Sequence, residues 1–340
     1  MPKGIGLFKR LKKVRKALNF GSKRGRLKNA LANSITFTVK IKKMNNNAKY
    51  GVVDIGSNSV RAILYSDGKI LYKTVITTRL GEGLANTGVI CESAFERTLK
   101  TVQSCVQVLI SKFADQILIF ATETVRSAKN GVDFALAVKE STGFDVDVVK
   151  GEEEGELGLL GALAGKDGGI IDIGGASAEI VACDGGKIVY SHSLPLGAVR
   201  LYDACGENLK KLDEIIDKNL DFYGKVPQYV DYFAIGGTAT TIGFIDSGVS
   251  NYDEKVVDGR EITVEKLEEI LKKLTGFSLN ERIEKMHINP KRAEIIVGGA
   301  YMLKKIMQRF NIKSVKVSES DNLLGYLRKK IFGESYEKQG

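Results

Sequence analysis

From residue 50 onward, apolar positions follow two alternating periods. Tyr50–Ile55 is an apolar run closed by Gly56, which predicts a buried strand. Arg61–Tyr65 and Lys69–Thr77 predict two more, joined by the Asp67-Gly68 turn. Glu92–Ser111 reads as a helix, Gln116–Ala121 as a strand, Gly131–Glu140 as a helix, Asp145–Val149 as a strand and Glu152–Leu163 as a helix. A second β-rich stretch runs from Gly169 to Ser191. A strand follows at Tyr232–Ile235, then helices near 263–274 and 292–310, a strand at Ser314–Val317 and a last helix near 322–331. Strands and helices mixed in this order predict α/β lobes.

The pattern repeats. Gly51–Tyr72 reads GVVDIGSNSVRAILYSDGKILY and Gly169–Tyr190 reads GIIDIGGASAEIVACDGGKIVY, aligned without gaps at an offset of 118, with nine identities in 22 positions. Each copy is a buried strand, a Gly/Ser turn, a second strand and a turn into a third. Copies this far apart predict one such unit per lobe.

The turns carry candidate chemistry. Each first strand ends in Asp-Ile-Gly, followed by small and hydroxylic residues: Ser57, Asn58 and Ser59 in one copy, Gly174, Gly175 and Ser177 in the other. Glycine admits close backbone approach, and successive amides in such a turn form a nest of donors suited to phosphate oxygens. Asp54 and Asp172 stand where the apolar runs stop. A buried aspartate is costly alone, and Mg²⁺ relieves that cost; the alternative is a carboxylate bonded to its own turn. A third patch, Ala234 to Thr241 with Gly236, Gly237 and Thr238, follows a strand and precedes a helix. It suits an anion at a helix N-terminus as well as a simple turn. Glu152, Glu153, Glu154 and Glu156 gather at a helix start between the two copies, where a carboxylate could take a proton from water. Composition does not choose among the four.

Composition narrows the field. The net charge of +10 is local: residues 1–43 hold 14 Lys and Arg and no acid, while residues 44–340 hold 37 basic and 41 acidic groups. The overall charge is therefore no argument for nucleic-acid binding by the body. Leu7, Phe8, Leu11, Val14 and Leu18 fall at helical spacing among lysines, so a basic amphipathic helix touching a polyanion is one reading of the extension. A solvated tail is the simpler one, and Met44 would also serve as a start. Cys91, Cys105, Cys183 and Cys205 form no C-x-x-C pair and only two histidines occur, which disfavours structural zinc, disulfides and a Ser-His-Asp triad and suits a cytoplasmic protein. No apolar run of membrane-spanning length occurs. The P-loop-like Gly161–Asp167 is one residue short and lacks the Ser/Thr.

Taken together, D-I-G-S-N-S at 54–59, D-I-G-G-A-S at 172–177, the Gly236 patch, A-T-E-T-V-R-S-A-K-N at 121–130, L-G-E-G-L at 80–84 and L-P-L-G-A-V-R-L at 194–201 resemble the exopolyphosphatase / guanosine pentaphosphate phosphohydrolase (Ppx/GppA) family of the actin–hexokinase–sugar kinase superfamily, from about Tyr50 to about Gly333. The resemblance implies two actin-like (ribonuclease H-like) α/β lobes with an active-site cleft between them. The implied division is a basic extension over 1–48, lobe I over 49–165 joined by a helix at 320–333, and lobe II over 166–319. It implies release of orthophosphate from polyphosphate or guanosine penta/tetraphosphates. Water would be activated by Glu154, with Glu153 the alternate. Asp172 and Glu179 would serve in catalysis and, with Asp54, hold Mg²⁺. Ser57, Asn58, Ser59, Arg126, Gly174, Gly175, Ser177, Gly236, Gly237 and Thr238 would bind phosphates. A homodimer is also suggested. Glu156 stands where relatives commonly carry Arg, which would weaken polyanion binding beside the cleft. The length, without the additional C-terminal helical domains of longer members, puts processive action on long polymers in doubt. An actin-like ATPase or kinase, or a non-catalytic polyanion-binding protein, are the alternatives on the same fold.

Overall fold

The structure, a computed structural model, describes residues 47–228 and 230–338. The basic segment 1–43 and its amphipathic stretch from Leu7 to Leu18 lie outside the described residues. Lobe I opens with β1 (Tyr50–Ile55), β2 (Ser59–Ser66) and β3 (Lys69–Thr77), followed by α1 (Leu84–Thr87), α2 (Glu92–Ser111), β4 (Gln116–Ala121), α3 (Glu123–Ser127), α4 (Gly131–Thr142) and β5 (Val146–Val148). The strands form a sheet in the order β3-β2-β1-β4-β5, antiparallel across the hairpins and parallel from β1 to β4 to β5. A parallel step needs a crossover, and the helices between β1 and β5 supply it. Val53, Ile55, Val60, Ala62 and Leu64 pack against Val102, Val106 and Leu109 of α2 to make this lobe's core.

The helix α5 (Gly151–Leu163) then leads to lobe II. Its sheet contains β6 (Gly168–Ile173), β7 (Ala178–Asp184) and β8 (Lys187–Leu194). After α6 (Ala198–Cys205) and α7 (Leu209–Leu220) come β9 (Tyr232–Ile235), α8 (Gly236–Ser247), α9 (Glu254–Val257), β10 (Glu261–Thr263), α10 (Val264–Gly276), α11 (Leu279–Met286), α12 (Pro290–Ala293), α13 (Ile296–Arg309) and β11 (Ser314–Val317). The chain ends its described part with α14 (Asn322–Leu327) and the short β12 (Glu337–Lys338). The strand order is β10-β11-β9-β6-β7-β8-β12. Three helices of eight or more residues, α6, α7 and α11, and the short α1, α3 and α9 have no counterpart among the elements read from the sequence. Yet Leu212, Ile216 and Leu220 of α7 keep helical spacing and are buried in the lobe II core.

The repeat is a repeat in space. β1–β2 and β6–β7 keep the same antiparallel register, and both second hairpins carry a register shift at equivalent points, Leu64/Tyr65 and Ala182/Cys183. The α14 helix returns to lobe I, where Tyr326 stacks on Phe120 with ring centroids 4.4 Å apart and joins Val52, Ile63, Leu157 and Leu327 in one apolar cluster. β12 then pairs with β8 of lobe II. No helix among the described residues is long and apolar enough to cross a membrane.

Candidate active site

The two Gly/Ser turns meet. A Cβ built on Gly175 would lie 2.9 Å from the Cβ of Ser57 and 3.3 Å from the amide of Asn58. Each turn closes on itself in the same way: Gly56 N–H donates to the Ser59 carbonyl at 3.1 Å, and Gly174 N–H to the Ser177 carbonyl at 3.0 Å. Each is also gripped from behind. The Asn58 carbonyl accepts from the amides of Thr78 and Arg79, and the Ser57 carbonyl from Gly81 of the L-G-E-G-L segment. The Gly174 and Gly175 carbonyls accept from Ala198 and Val199 at the start of α6. With these carbonyls taken, what the turns offer a ligand is mainly N–H groups, hydroxyls and the Asn58 carboxamide. Both turns line one cavity of about 510 Å³.

The carboxylates converge on that cavity. Asp54, Asp172 and Glu154 line it and are 1%, 8% and 7% exposed. Glu179, 2% exposed, does not line the cavity itself; it stands behind it as the direct cross-strand partner of Asp172, on the same face of the hairpin. Glu154 separates from its neighbours in sequence. Glu153 pairs outward with Lys329 at 3.0 Å, and Glu156 is buried against the same Lys329 at 2.8 Å. Glu156 is off the cavity wall and turned to Lys329, so in this arrangement it does not face a polyanion bound there.

Electrostatics distinguish the acids. Burial pushes Glu154 up; Arg126 pulls it back, while Asp172 and Asp54 add to the rise. Asp172 is raised by burial, with Arg61 opposing and Asp321 and Asp54 reinforcing. Glu179 is driven well above the ordinary carboxylate range by burial, then by Glu154 and Asp172; the hydroxyls of Ser193 and Ser177 oppose this. Asp54 is also raised by burial, but Arg61 lies against it, donating from Nε at 2.7 Å and pairing through Nη2. Arg61 pairs with Asp321 as well.

The remaining sequence-predicted residues divide. Ser57, Asn58, Ser59, Gly174, Gly175, Ser177, Gly236 and Gly237 line the cavity. Gly236 has φ +76°, and a Cβ there would lie 2.6 Å from Asp172 Oδ1, so the third patch abuts the second turn's acid. Thr238 and Arg126 are not on the cavity wall. The Thr238 hydroxyl donates to the Ile173 carbonyl at 2.7 Å. Arg126 donates to the Val149 carbonyl at 2.6 Å, to Glu154 Oε2 at 3.3 Å and to Glu123 at 2.5 Å. In this arrangement it holds Glu154 in place. Arg292 was missed by sequence reasoning. It lines the cavity against Gly237, and burial, then Arg61, lowers its pKa to about 10. No hydrogen bond or ion pair to a carboxylate is recorded for it among the described residues, and it stays cationic at neutral pH.

The profile of the Ppx/GppA phosphatase family matches residues 40–321. The chain belongs to the Ppx/GppA phosphatase family. It is 28% identical over 319 residues to the bifunctional 3-dehydroquinate synthase/phosphatase of Fusobacterium nucleatum; the match takes in 84% of this chain and 47% of that protein, so this chain spans about half its length. It is 26% identical over 309 residues to exopolyphosphatase 2 of Mycobacterium tuberculosis, covering 82% of this chain and 97% of the relative. Among solved structures, the Aquifex aeolicus family member aligns with TM-score 0.70 and 26% identity over 85% of this chain and 99% of that one. The two-lobed α/β class expected from the repeat is thus the fold of the family.

A hydrated divalent cation fits what the lobe II residues present. Asp172 and Glu179 are adjacent, and their buried charge has no basic side chain bonded to it. Asp54 Oδ1, Asn58 Oδ1 and Asn322 Oδ1 are buried acceptors without a partner, and metal-bound waters are donors. No three His, Cys, Asp or Glu side chains among the described residues form a ready-made cage. A cation held here would keep several of its waters and take one or two carboxylates, as Mg²⁺ does.

Proposed function

We propose that this chain hydrolyses a terminal phosphoanhydride, releasing orthophosphate from polyphosphate or guanosine pentaphosphate. The observation that supports this most is the meeting of two duplicated donor turns at one cavity that also receives Glu154. Amides and hydroxyls of residues 56–59 and 174–177, with Gly236, Gly237 and Arg292, would bind the terminal phosphates. Glu154, held by Arg126, would align a water in line with the terminal phosphorus and take its proton at the carboxylate oxygen. Its raised pKa makes it a stronger base than a solvated glutamate, and the protonated form would be tolerated after transfer because burial favours it. Mg²⁺, held through Asp172 and Glu179 largely by waters, would supply positive charge to the phosphoryl oxygens. Asp54 would hold Arg61 at the cavity through Oδ2, leaving Oδ1 to accept from metal-bound water.

The test is phosphate release with Mg²⁺ from tripolyphosphate, guanosine pentaphosphate and ATP in parallel. Release from the first two should exceed release from ATP. The Glu154→Gln variant should lose about 10²–10⁴-fold in kcat with KM little changed. No release from any anhydride, or a fully active Glu154→Gln, ends this reading.

A further inference from the structure

We propose that an ion-pair bridge at the far end of the cavity, Lys73 between Glu254 and Glu319, sets a length limit on the substrate and makes the site selective for short phosphoanhydrides over long chains. This rests on the phosphoanhydride reading and adds the size class of the substrate.

The distance from the phosphate turns to the bridge follows from the register. β2 and β3 pair Ser59 with Thr77, Arg61 with Val75 and Ile63 with Lys73. Lys73 is thus four residues along β3 from Thr77, roughly 13 Å at strand rise. On the facing lobe, Phe244 stands eight residues beyond Gly236 on α8, roughly 12 Å at helical rise. Tyr252 packs its ring on Phe244 at 5.5 Å and its hydroxyl on Glu319. All of these residues line the cavity. The near end therefore holds the turns and Arg292, and the far end is a neutral aromatic wall and a charged bridge.

The bridge crosses the cleft. Lys73 Nζ, on lobe I, lies 2.7 Å from Glu254 and 2.9 Å from Glu319, both on lobe II. Two carboxylates face one ammonium, so the far end carries a net negative charge where the near end is arranged for anions. A substrate that ends short of the bridge never meets this charge. A longer polyanion must part Lys73 from its partners and run past both glutamates. Separating a partly exposed pair costs little; the larger obstacle is like charge set against like charge, which salt weakens because Glu254 is half exposed.

The experiment measures Kd by calorimetry and kcat/KM per chain end for tripolyphosphate and for a long-chain polyphosphate, at fixed ionic strength. It uses the full chain, a Glu254→Gln/Glu319→Gln double variant and Lys73→Met. The parent should favour tripolyphosphate in both constants. The double variant should narrow that preference by about tenfold with tripolyphosphate unchanged within about twofold. Lys73→Met, which leaves the glutamates uncompensated, should widen it. Equal parent affinity for the two substrates, or a ratio that neither variant moves, overturns the length limit. If nothing is hydrolysed but the Kd ratio behaves as stated, the hydrolytic reading falls and the length limit stands.

Discussion

In lobe I the row of side chains crossing the hairpin at the end of β1 reads Asp54, Arg61, Val75. In lobe II the equivalent row at the end of β6 reads Asp172, Glu179, Ser193. The backbones match residue for residue at the offset of 118, so the contrast isolates chemistry from geometry. In lobe I a basic group stands next to the aspartate. Burial opposes the charge of Arg61, but Asp321 and Asp54 outweigh that and raise its pKa, so the lobe I row is already neutralised. In lobe II a second acid takes the arginine's place; burial raises it, and Glu154 and Asp172 raise it further. One copy of the duplicated unit is electrostatically closed; the other needs protons or a cation. The repeat thus divides two tasks, one lobe fixing an arginine at the cavity and the other asking for positive charge from outside.

The strongest way to break this comparison is to open the closed row. Arg61→Gln leaves Asp54 buried and both aspartates without their shared cation. Removing one partner of such a pair is strongly destabilising, and about 3 kcal/mol is expected from urea unfolding, the lower end because Arg61 keeps some exposure. A loss below about 1 kcal/mol would mean that the pair is surface-like and the contrast false.

Neutralising the open row should act with the opposite sign. Glu179→Gln removes one uncompensated buried charge, so without metal near pH 8 the variant should be more stable than the parent by about 1–2 kcal/mol. It should also lose most of the Mg²⁺-induced rise in Tm. A less stable variant, or one with the full Mg²⁺ response, would show that Glu179 is satisfied by its hydroxyl partners alone.

The same acids set a pH slope. Raised carboxylate pKa values mean that the native state binds more protons than the unfolded chain, so stability falls as pH rises. That stability is fully present below the ordinary carboxylate range and is lost as pH climbs through the raised values of Glu154, Asp172 and Glu179. The Tm of metal-free protein should fall between about pH 5 and pH 8, and saturating Mg²⁺ should flatten the decline. A metal-free Tm that rises over this interval reverses the sign and removes the open row.

Much of this was legible before any coordinates. The gapless repeat put Asp54 and Asp172 at equivalent strand ends, and the apolar runs closed by glycine marked the strands that carry them. The Arg61/Glu179 mismatch is visible in the same alignment, seven residues beyond each aspartate; its meaning is not, because only the antiparallel register makes those residues neighbours. Arg292 was out of reach for a different reason. It comes from a short helix far along the chain, and local periodicity says nothing about which distant segment reaches Gly237. Glu154 lay between these cases: four acids in one turn look alike in sequence, and Lys329, 175 residues from Glu154, decides which two turn away.

The finest cut through the comparison is at the third position of the row. Ser193 Oγ donates to Glu179 Oε1 at 2.6 Å, whereas the equivalent Val75 offers lobe I nothing polar. A hydroxyl bonded to a carboxylate favours the charged form, so Ser193 opposes the burial that raises Glu179. If Glu179 meets the cation as a carboxylate, losing that bond should appear as weaker binding, because protonation then competes more strongly with the metal. Ser193→Ala should weaken Mg²⁺ binding by about 1 kcal/mol, roughly fivefold in Kd by calorimetry. The weakening should shrink as pH rises, since protons are the competitor. Val75→Ser in the closed row should leave the Kd where it was. Equal Mg²⁺ affinity in Ser193→Ala and parent at neutral pH would mean that Glu179 takes no part as an anion, leaving Asp172 alone to distinguish lobe II from lobe I.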